Sequence, residues 1–292
     1  MYCPKEIAYE VIVVDNGSSD ATGPIAKEHG AQVVLSSANT VAGARNFGFD
    51  HSLGEVIIFL DADVQVSSAW GGDIGGWVAT IVDEPMKISG SRCLPLDEQN
   101  LFAANWFGLI CETDTGVTNY LGTGHMIVSR KLFSELAGFN KSLITGEDFD
   151  FCSRAKKIGA SIFLDTSLKV YHEGFPNTVP QFLKREAWHG MGDFQSLRGY
   201  FESRVAFVTT IFIFAHASLI VSIFFEKMLF SLSFFVLILL LPIFSSLIKF
   251  KGLTMKSRFY NCVIYYLYFV GRSYAPVRVI KRVFSVKRVE TN

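Results

Sequence analysis

Two uninterrupted apolar runs, residues 205–225 and 228–248, restrict this chain more than any other feature. Each holds 21 residues without a charged side chain, and the charges bordering them are Arg204, Glu226, Lys227 and Lys249. A hydrocarbon core of roughly 30 Å takes ~20 residues at helical rise. A single segment inside it must satisfy its own backbone hydrogen bonds, which leaves the helix. The runs therefore predict a transmembrane helical hairpin; the competing reading, two core helices of a soluble domain, requires protein to cover both on all sides. His216 and Pro242 lie within the runs and are expected to serve packing. A turn as short as Glu226-Lys227 returns the chain to its starting side, so everything before and after the hairpin shares one compartment.

Charge gives that compartment a sign. The chain is formally neutral, yet from Lys249 onward ten bases face one acid, a net +9, which leaves seventeen bases against twenty-six acids, a net −9, for residues 1–248. The bias of basic residues toward the cytoplasmic side places the acidic body and basic tail there, as parts of a multi-pass protein of the cell inner membrane. Residues 259–270 are apolar and aromatic but about a dozen long, and Arg258 and Arg272 flank them. That pattern predicts an interfacial segment with the following bases near anionic headgroups; a third, tilted crossing extended through Pro276 stays open and would put the terminal bases outside. The expected organisation is a catalytic domain over residues 1–200, two membrane helices over 201–249 and a basic amphipathic tail over 250–292. Residues 1–9 are polar, with Pro4, Lys5 and Glu6, so no cleavable signal is expected and the first span is the targeting element. Cys3, Cys93, Cys111, Cys152 and Cys262 are odd in number and scattered, which suggests neither a disulfide framework nor a zinc site.

The first 175 residues alternate strand-like and helix-like patterns, as an open α/β sheet with a parallel core requires. Residues 56–60, after Glu55, are a continuous apolar run closed by Asp61-Ala62-Asp63. Such a run is a buried strand delivering its last residues to the sheet's carboxyl edge, where α/β folds bind ligands. Two carboxylates at that place suit a hard divalent cation shared with substrate phosphates, although an Asp-x-Asp after a strand also arises as a helix cap or loop acid. A second strand, residues 10–14, ends in Asp15. Residues 64–99 show weak periodicity around Trp70, Gly71, Gly72, Gly75, Gly76 and Trp77, and no element is assigned there. Further on, Gly122-Thr123-Gly124 opens a strand, and Gly146-Glu147-Asp148 starts a helix whose acids also have the innocent role of capping free N–H groups. His172 and Glu173 follow another apolar stretch, and residues 181–191 form an amphipathic helix carrying Arg185 and Trp188.

These pieces coincide, in order and spacing, with a known pattern. Val-Ile-Val-Val-Asp15-Asn-Gly-Ser-Ser-Asp20, Ala44-Arg45-Asn46-x-Gly48, Phe-Leu-Asp61-Ala-Asp63, Gly122-Thr-Gly124 and Gly146-Glu147-Asp148-x-Asp150 resemble the catalytic domain of the family 2 glycosyltransferases over residues 10 to about 190. The resemblance implies a GT-A fold, a mostly parallel open sheet with flanking helices, and inverting sugar transfer from a nucleotide-sugar donor that needs Mg²⁺ or Mn²⁺. It implies that Asp15 contacts the nucleoside, Arg45 the donor phosphates or base region, and Asp61 the ribose. Asp63 would hold the metal, His172 supply a further metal or phosphate contact, Asp148 act as general base, and Glu147 orient that base or bind acceptor. Gln181, Arg185 and Trp188 are loosely similar to the Gln-x-x-Arg-Trp element of processive relatives, but the spacing here departs from it. Arg185 and Trp188 are carried as donor-binding candidates without implying polymer synthesis.

The start of the chain departs from the family pattern too. Members open with a strand and a helix before the strand that ends in the first aspartate, and only nine residues precede Glu10 here. The reading favoured is a shortened chain, since the acids expected to do chemistry are all present; the alternative is a degenerate, non-catalytic transferase acting as a membrane scaffold. A haloacid-dehalogenase-like phosphatase, with Asp61 as nucleophile, competes on the Asp-x-Asp alone, but Gln65 replaces the Thr or Val usual there. The partners expected are a nucleotide-sugar donor, a lipid-linked or saccharide acceptor and the membrane, with no nucleic acid.

Overall fold

The computed structural model describes residues 7–97, 100–111 and 114–290. Cys3 and the polar opening residues through Glu6 lie outside the described residues. The chain forms two compact units, residues 1–96 with 111–174 and residues 97–110 with 175–292.

The first unit begins with β1 (Ile12–Asp15), α1 (Thr22–Glu28) and β2 (Gln32–Leu35), in which β1 and β2 pair in parallel as a separate two-stranded sheet. Next come α2 (Val41–Asp50), β3 (Val56–Leu60), β4 (Val64–Val66), α3 (Trp70–Asp83), β5 (Lys87–Gly90) and β6 (Cys93–Pro95). A π-helical turn, Ala103–Phe107, and the short α4 (Gly108–Cys111) follow; residues 97–110 here belong to the second unit. The chain then supplies β7 (Gly116–Val117), β8 (His125–Ser129), α5 (Arg130–Glu135), α6 (Glu147–Lys157), β9 (Ser161–Leu164) and β10 (Val170–His172).

A five-stranded sheet in the order β3-β8-β5-β9-β7 carries the core. Ile57 and Phe59 face one layer, with Met126, Val128, Phe133, Phe139 and Phe151; Val56 and Ile58 face the other, against Trp70, Ile74 and Ile81 of α3. Burial on both faces is why β3 is apolar throughout instead of alternating. Phe133, Phe139 and Phe151 meet with centroids 5.0 to 5.3 Å apart, contacts worth about 0.5–1.5 kcal/mol each beyond burial.

The open α/β arrangement with flanking helices is present, but its pairing is mixed instead of mostly parallel. β8 runs antiparallel to both β3 and β5, β7 runs antiparallel to β9, and only β5–β9 is parallel within this sheet. A third sheet, β4-β10-β6, is antiparallel on one side of β10 and parallel on the other. The reason is local: a strand buried on both faces reads as one apolar run whichever way it points, so composition conceals its direction.

The second unit contains α7 (Val179–Phe194), α8 (Leu197–Glu202), α9 (Arg204–Phe224), α10 (Met228–Lys249), α11 (Met255–Ser273) and α12 (Ala275–Glu290). Helices α9 and α10 are long and apolar enough to cross a membrane, and only 22% and 11% of their apolar windows are buried by protein. Phe214, Ile220, Phe224, Leu229 and Ile248 point outward, so neither helix is a covered core helix. Their inner faces join Trp106, Phe182, Ile264, Tyr265 and Phe269 in one aromatic core. The apolar segment after Arg258 lies inside the 19-residue α11, which buries a polar residue, Asn261, among its aromatics. Asn261 donates to the Asn105 carbonyl at 2.7 Å and accepts from Ser246 at 2.5 Å. Arg272 is held by Glu186 at 3.1 Å and Asp193 at 2.8 Å, both on α7. Pro276 sits in the first turn of α12, where a missing N–H is tolerated.

Candidate active site

The chemistry-bearing residues of the first unit collect where β3 ends. Register fixes the arrangement: Leu60 pairs with His125, which lays Gly124 beside Asp61. The Asp61 N–H donates to the Gly124 carbonyl at 3.4 Å. A side-chain carbon on Gly124 would stand 2.8 Å from Cys93 Sγ and 3.5 Å from Asp61 Oδ2, so that approach requires glycine. His125 is fully buried and anchors this strand, not the chemistry. Its Nε2 accepts from the Trp70 indole at 3.0 Å, and its Nδ1 lies 2.7 Å from the Ser91 hydroxyl, which donates to the Leu168 carbonyl. Nδ1 also accepts the Ser91 N–H at 3.1 Å, and burial lowers the His125 pKa to about 4, so the ring is neutral.

The β4–β10 ladder supplies the other half. His172 pairs with Val64, which sets its Nε2 3.4 Å from Asp63 Oδ1. Asp61, Asp63 and His172 each offer a ligand atom, and these atoms lie within 4.8 Å of one another. Two carboxylates and an imidazole within this distance are a donor set for a divalent cation, the carboxylate oxygens suiting Mg²⁺ and Mn²⁺ alike. Gly174 leaves the space open: a side-chain carbon there would crowd Asp63 Oδ2 and the His172 ring. The residues present fit a divalent cation.

Arg45, on α2, does not stand clear of the protein. Its guanidinium bridges Asp61 and Glu147, each at 2.5 Å, although the two acids come from a strand end and a helix start. Glu147 is the more deeply buried of the pair, at 10% side-chain exposure against 34% for Asp61. Asp148 follows Glu147 in the first turn of α6, whose N-cap is Gly146 at φ +81°. Burial, and next the Glu147 charge, push the Asp148 carboxyl up to about 6; the Phe149 N–H, Arg45 and Tyr120 pull the other way. A side-chain carbon on Gly122 would lie 3.6 Å from Asp148 Oδ2, so the Gly122-Thr123-Gly124 segment reaches from Asp148 to Asp61. Asp150 is taken up by Arg154 at 2.8 Å.

Asp15 ends β1 on the separate two-stranded sheet. Its Oδ1 accepts the Ser18 N–H at 2.8 Å, and donors from Ser18 and Gly17 hold its carboxyl below the usual range. Arg185 and Trp188 belong to the second unit. The Arg185 guanidinium meets Glu186 at 3.2 Å and lies 4.8 Å from the Phe107 ring centre, while Trp188 is partly exposed beside His189. The structure thus brings Asp61, Asp63, His172, Arg45, Glu147 and Asp148 into one connected group. Sequence reasoning missed Tyr120, whose hydroxyl donates to Asp148 Oδ2 at 3.2 Å, and Gly174; neither stands out by type or spacing. No disulfide joins the four described cysteines.

Comparison with known proteins bears on the family of the chain. "Glycosyl transferase family 2" matches residues 5–73, and "Glycosyl transferase family group 2" matches residues 99–271, more than half of the chain. Glycosyltransferase AglE of Haloferax volcanii is 25% identical over 197 residues, 64% of this chain and 63% of that protein. The pre-mycofactocin glycosyltransferase of Mycobacterium tuberculosis is 23% identical over 194 residues, 62% of this chain and 40% of that protein. The amylovoran biosynthesis glycosyltransferase AmsB of Erwinia amylovora is 26% identical over 194 residues, 58% of this chain and 63% of that protein. The chain therefore spans less than two thirds of the length of these curated relatives. Among solved structures, a mannosyltransferase from Pyrobaculum calidifontis in complex with GDP-Man and Mn²⁺ aligns at TM-score 0.47 and 19% identity, covering 63% of this chain and 53% of that one, a likeness too remote to bear on residue roles. By the extent of the family match, this chain belongs to glycosyltransferase family 2.

Proposed function

We propose that the chain transfers a sugar, with inversion at the anomeric carbon, from a nucleotide diphosphate donor to a lipid-linked or envelope-polysaccharide acceptor at the cytoplasmic face of the inner membrane. One observation carries the reading: a metal-competent Asp61–Asp63–His172 group and a carboxyl held near neutrality, Asp148, meet along a single glycine segment. Asp148 removes the proton from the acceptor hydroxyl, that oxygen's electron pair forms the new bond to the anomeric carbon, and the bond to the diphosphate breaks with its pair leaving on the nucleotide. Asp63 and His172, with Asp61 alongside, would hold a divalent cation, whose positive charge would offset the negative charge growing on the departing diphosphate. Arg45 keeps Asp61 and Glu147 in place, and Asp15 takes the nucleoside.

Two apolar helices joined by a short turn support the membrane reading, and the net +9 after the hairpin supports the cytoplasmic side. AmsB carries amylovoran biosynthesis in its name, which favours an envelope polysaccharide acceptor. Purified protein in lipid nanodiscs, offered a panel of nucleotide sugars with Mn²⁺, is expected to release nucleotide diphosphate, and Asp63→Ala and Asp148→Asn are expected to abolish release. No turnover together with no calorimetric affinity for UDP or GDP with Mn²⁺ would instead mark a non-catalytic scaffold. For the topology, a cysteine at Lys227 should react with an impermeant maleimide added outside the cell, while one at the exposed His51 should react only after lysis.

A further inference from the structure

Asp148 has its two carboxylate oxygens held by different partners. Oδ1 accepts the Phe149 N–H at 2.7 Å, a bond within its own helix. Oδ2 accepts the Tyr120 hydroxyl at 3.2 Å, from the segment that leads into β8. Gly122 keeps this meeting open, since a side-chain carbon there would lie 3.6 Å from both Asp148 Oδ2 and Tyr120 Oη. The Tyr120 ring is itself steadied by Phe149, at 6.0 Å between centroids.

We propose that Tyr120 is a positioning residue for the acceptor base: its hydroxyl fixes the rotation of the Asp148 carboxyl and leaves a lone pair directed at the incoming hydroxyl. This rests on Asp148 being the base. A carboxylate held only through Oδ1 rotates about its Cβ–Cγ bond, and general base catalysis tolerates little error in donor–acceptor geometry. The groups facing Asp148 are Glu147 and Cys152 on its own helix, Arg45 on α2 and Tyr120. Against burial and the Glu147 charge, the phenol hydrogen bond favours the ionised form that can accept a proton. Burial and the Asp148 charge push the Tyr120 hydroxyl well above its ordinary value, so it stays a donor throughout the working range.

The test is Tyr120→Phe, which keeps the ring and removes the hydroxyl, in the full chain in nanodiscs. We expect kcat to fall about tenfold, a part of the ~100-fold or more that a general base supplies. The acid limb of its pH profile should move to higher pH, while donor KM and Mn²⁺ affinity stay unchanged. A purely structural tyrosine lowers the melting temperature without moving the acid limb, and that result overturns the proposal. An unmoved acid limb and kcat in Tyr120→Phe with Asp148→Asn inactive overturn it alone. If Asp148→Asn retains activity, the assignment of the base fails instead.

Discussion

Replacing Arg45 by Met separates architecture from chemistry in this site. The guanidinium is the shared counter-charge of Asp61 and Glu147. Breaking a buried pair by removing one partner costs roughly 3–5 kcal/mol because the other charge is left stranded. Asp61 is about a third exposed, so water screens it and its share is discounted toward the ~0–1 kcal/mol of a surface pair. Glu147 carries most of the loss, and about 3 kcal/mol follows for Arg45→Met. For a unit of this size, about 2–4 °C of melting temperature accompanies each kcal/mol, so the first unit should melt about 6–12 °C earlier. Scanning fluorimetry in detergent reads the change, with hydrogen exchange assigning it to the first unit. The decisive comparison is the double variant Arg45→Met with Glu147→Gln. Removing the stranded charge should restore about 1–2 kcal/mol, because a neutral amide is far cheaper to bury. Arg45→Lys should fall between, since a single ammonium cannot span two carboxylates as a planar fork does. If Arg45→Met melts within about 1 °C of the parent, or the double variant is no better than the single, the counter-charge reasoning is wrong.

Asp148→Asn should stabilise the fold while abolishing turnover. A folded pKa raised above the unfolded value contributes stability below the unfolded pKa and loses it as pH rises through about 6, so the parent is penalised at pH 7 by as much as about 3 kcal/mol. Denaturation at pH 7 should find the Asp148→Asn variant more stable than the parent, and at pH 4 no more stable; the opposite order refutes the burial argument. Gly174→Ala should weaken Mn²⁺ binding about tenfold or more through the crowding of Asp63 and His172, with melting of the metal-free protein shifted by under about 2 °C. Unchanged affinity in a Mn²⁺ titration followed by electron paramagnetic resonance removes Gly174 from the site.

What the sequence disclosed and what it withheld have physical causes. The buried strand β3 was legible because both its faces are covered, and the hairpin because bilayer thickness sets a length. The 14-residue α3 was not. Its apolar residues Trp70, Ile74 and Ile81 recur at helical spacing, but four glycines, each worth about 1 kcal/mol against helix, blur the pattern; their burial on the sheet outweighs the glycines. The reversed direction of β8 was hidden because an apolar run has no polarity. The Arg45–Glu147 pair joins residues 102 apart, and the pairing of Tyr120 with Asp148 depends on where a loop turns, so no local pattern announces either. His172 was placed among the candidates from its position after a strand, and the β4–β10 register is what carries it to Asp63.

The charge balance of the group constrains the order of binding. Asp61, Glu147 and Asp148 are tied through Arg45 and the α6 start, and Asp63 stands beside Asp61, so four carboxyls share one guanidinium and one imidazole. Near neutral pH this leaves a negative cleft. A bare nucleotide diphosphate brings further negative charge and meets repulsion of about 1 kcal/mol per pair at about 4 Å even in water, and about 4 kcal/mol near a protein surface. The donor therefore should not bind to metal-free protein, whereas a divalent cation should bind without the donor, because the same field attracts it. Calorimetry with EDTA-treated protein checks both halves: UDP or GDP alone is expected to give no heat, and Mn²⁺ alone is expected to titrate with an affinity that weakens as salt rises. Tight nucleotide binding to metal-free protein would mean that cationic groups outside this cluster receive the diphosphate, and the roles of Asp61, Asp63 and His172 would have to be reassigned.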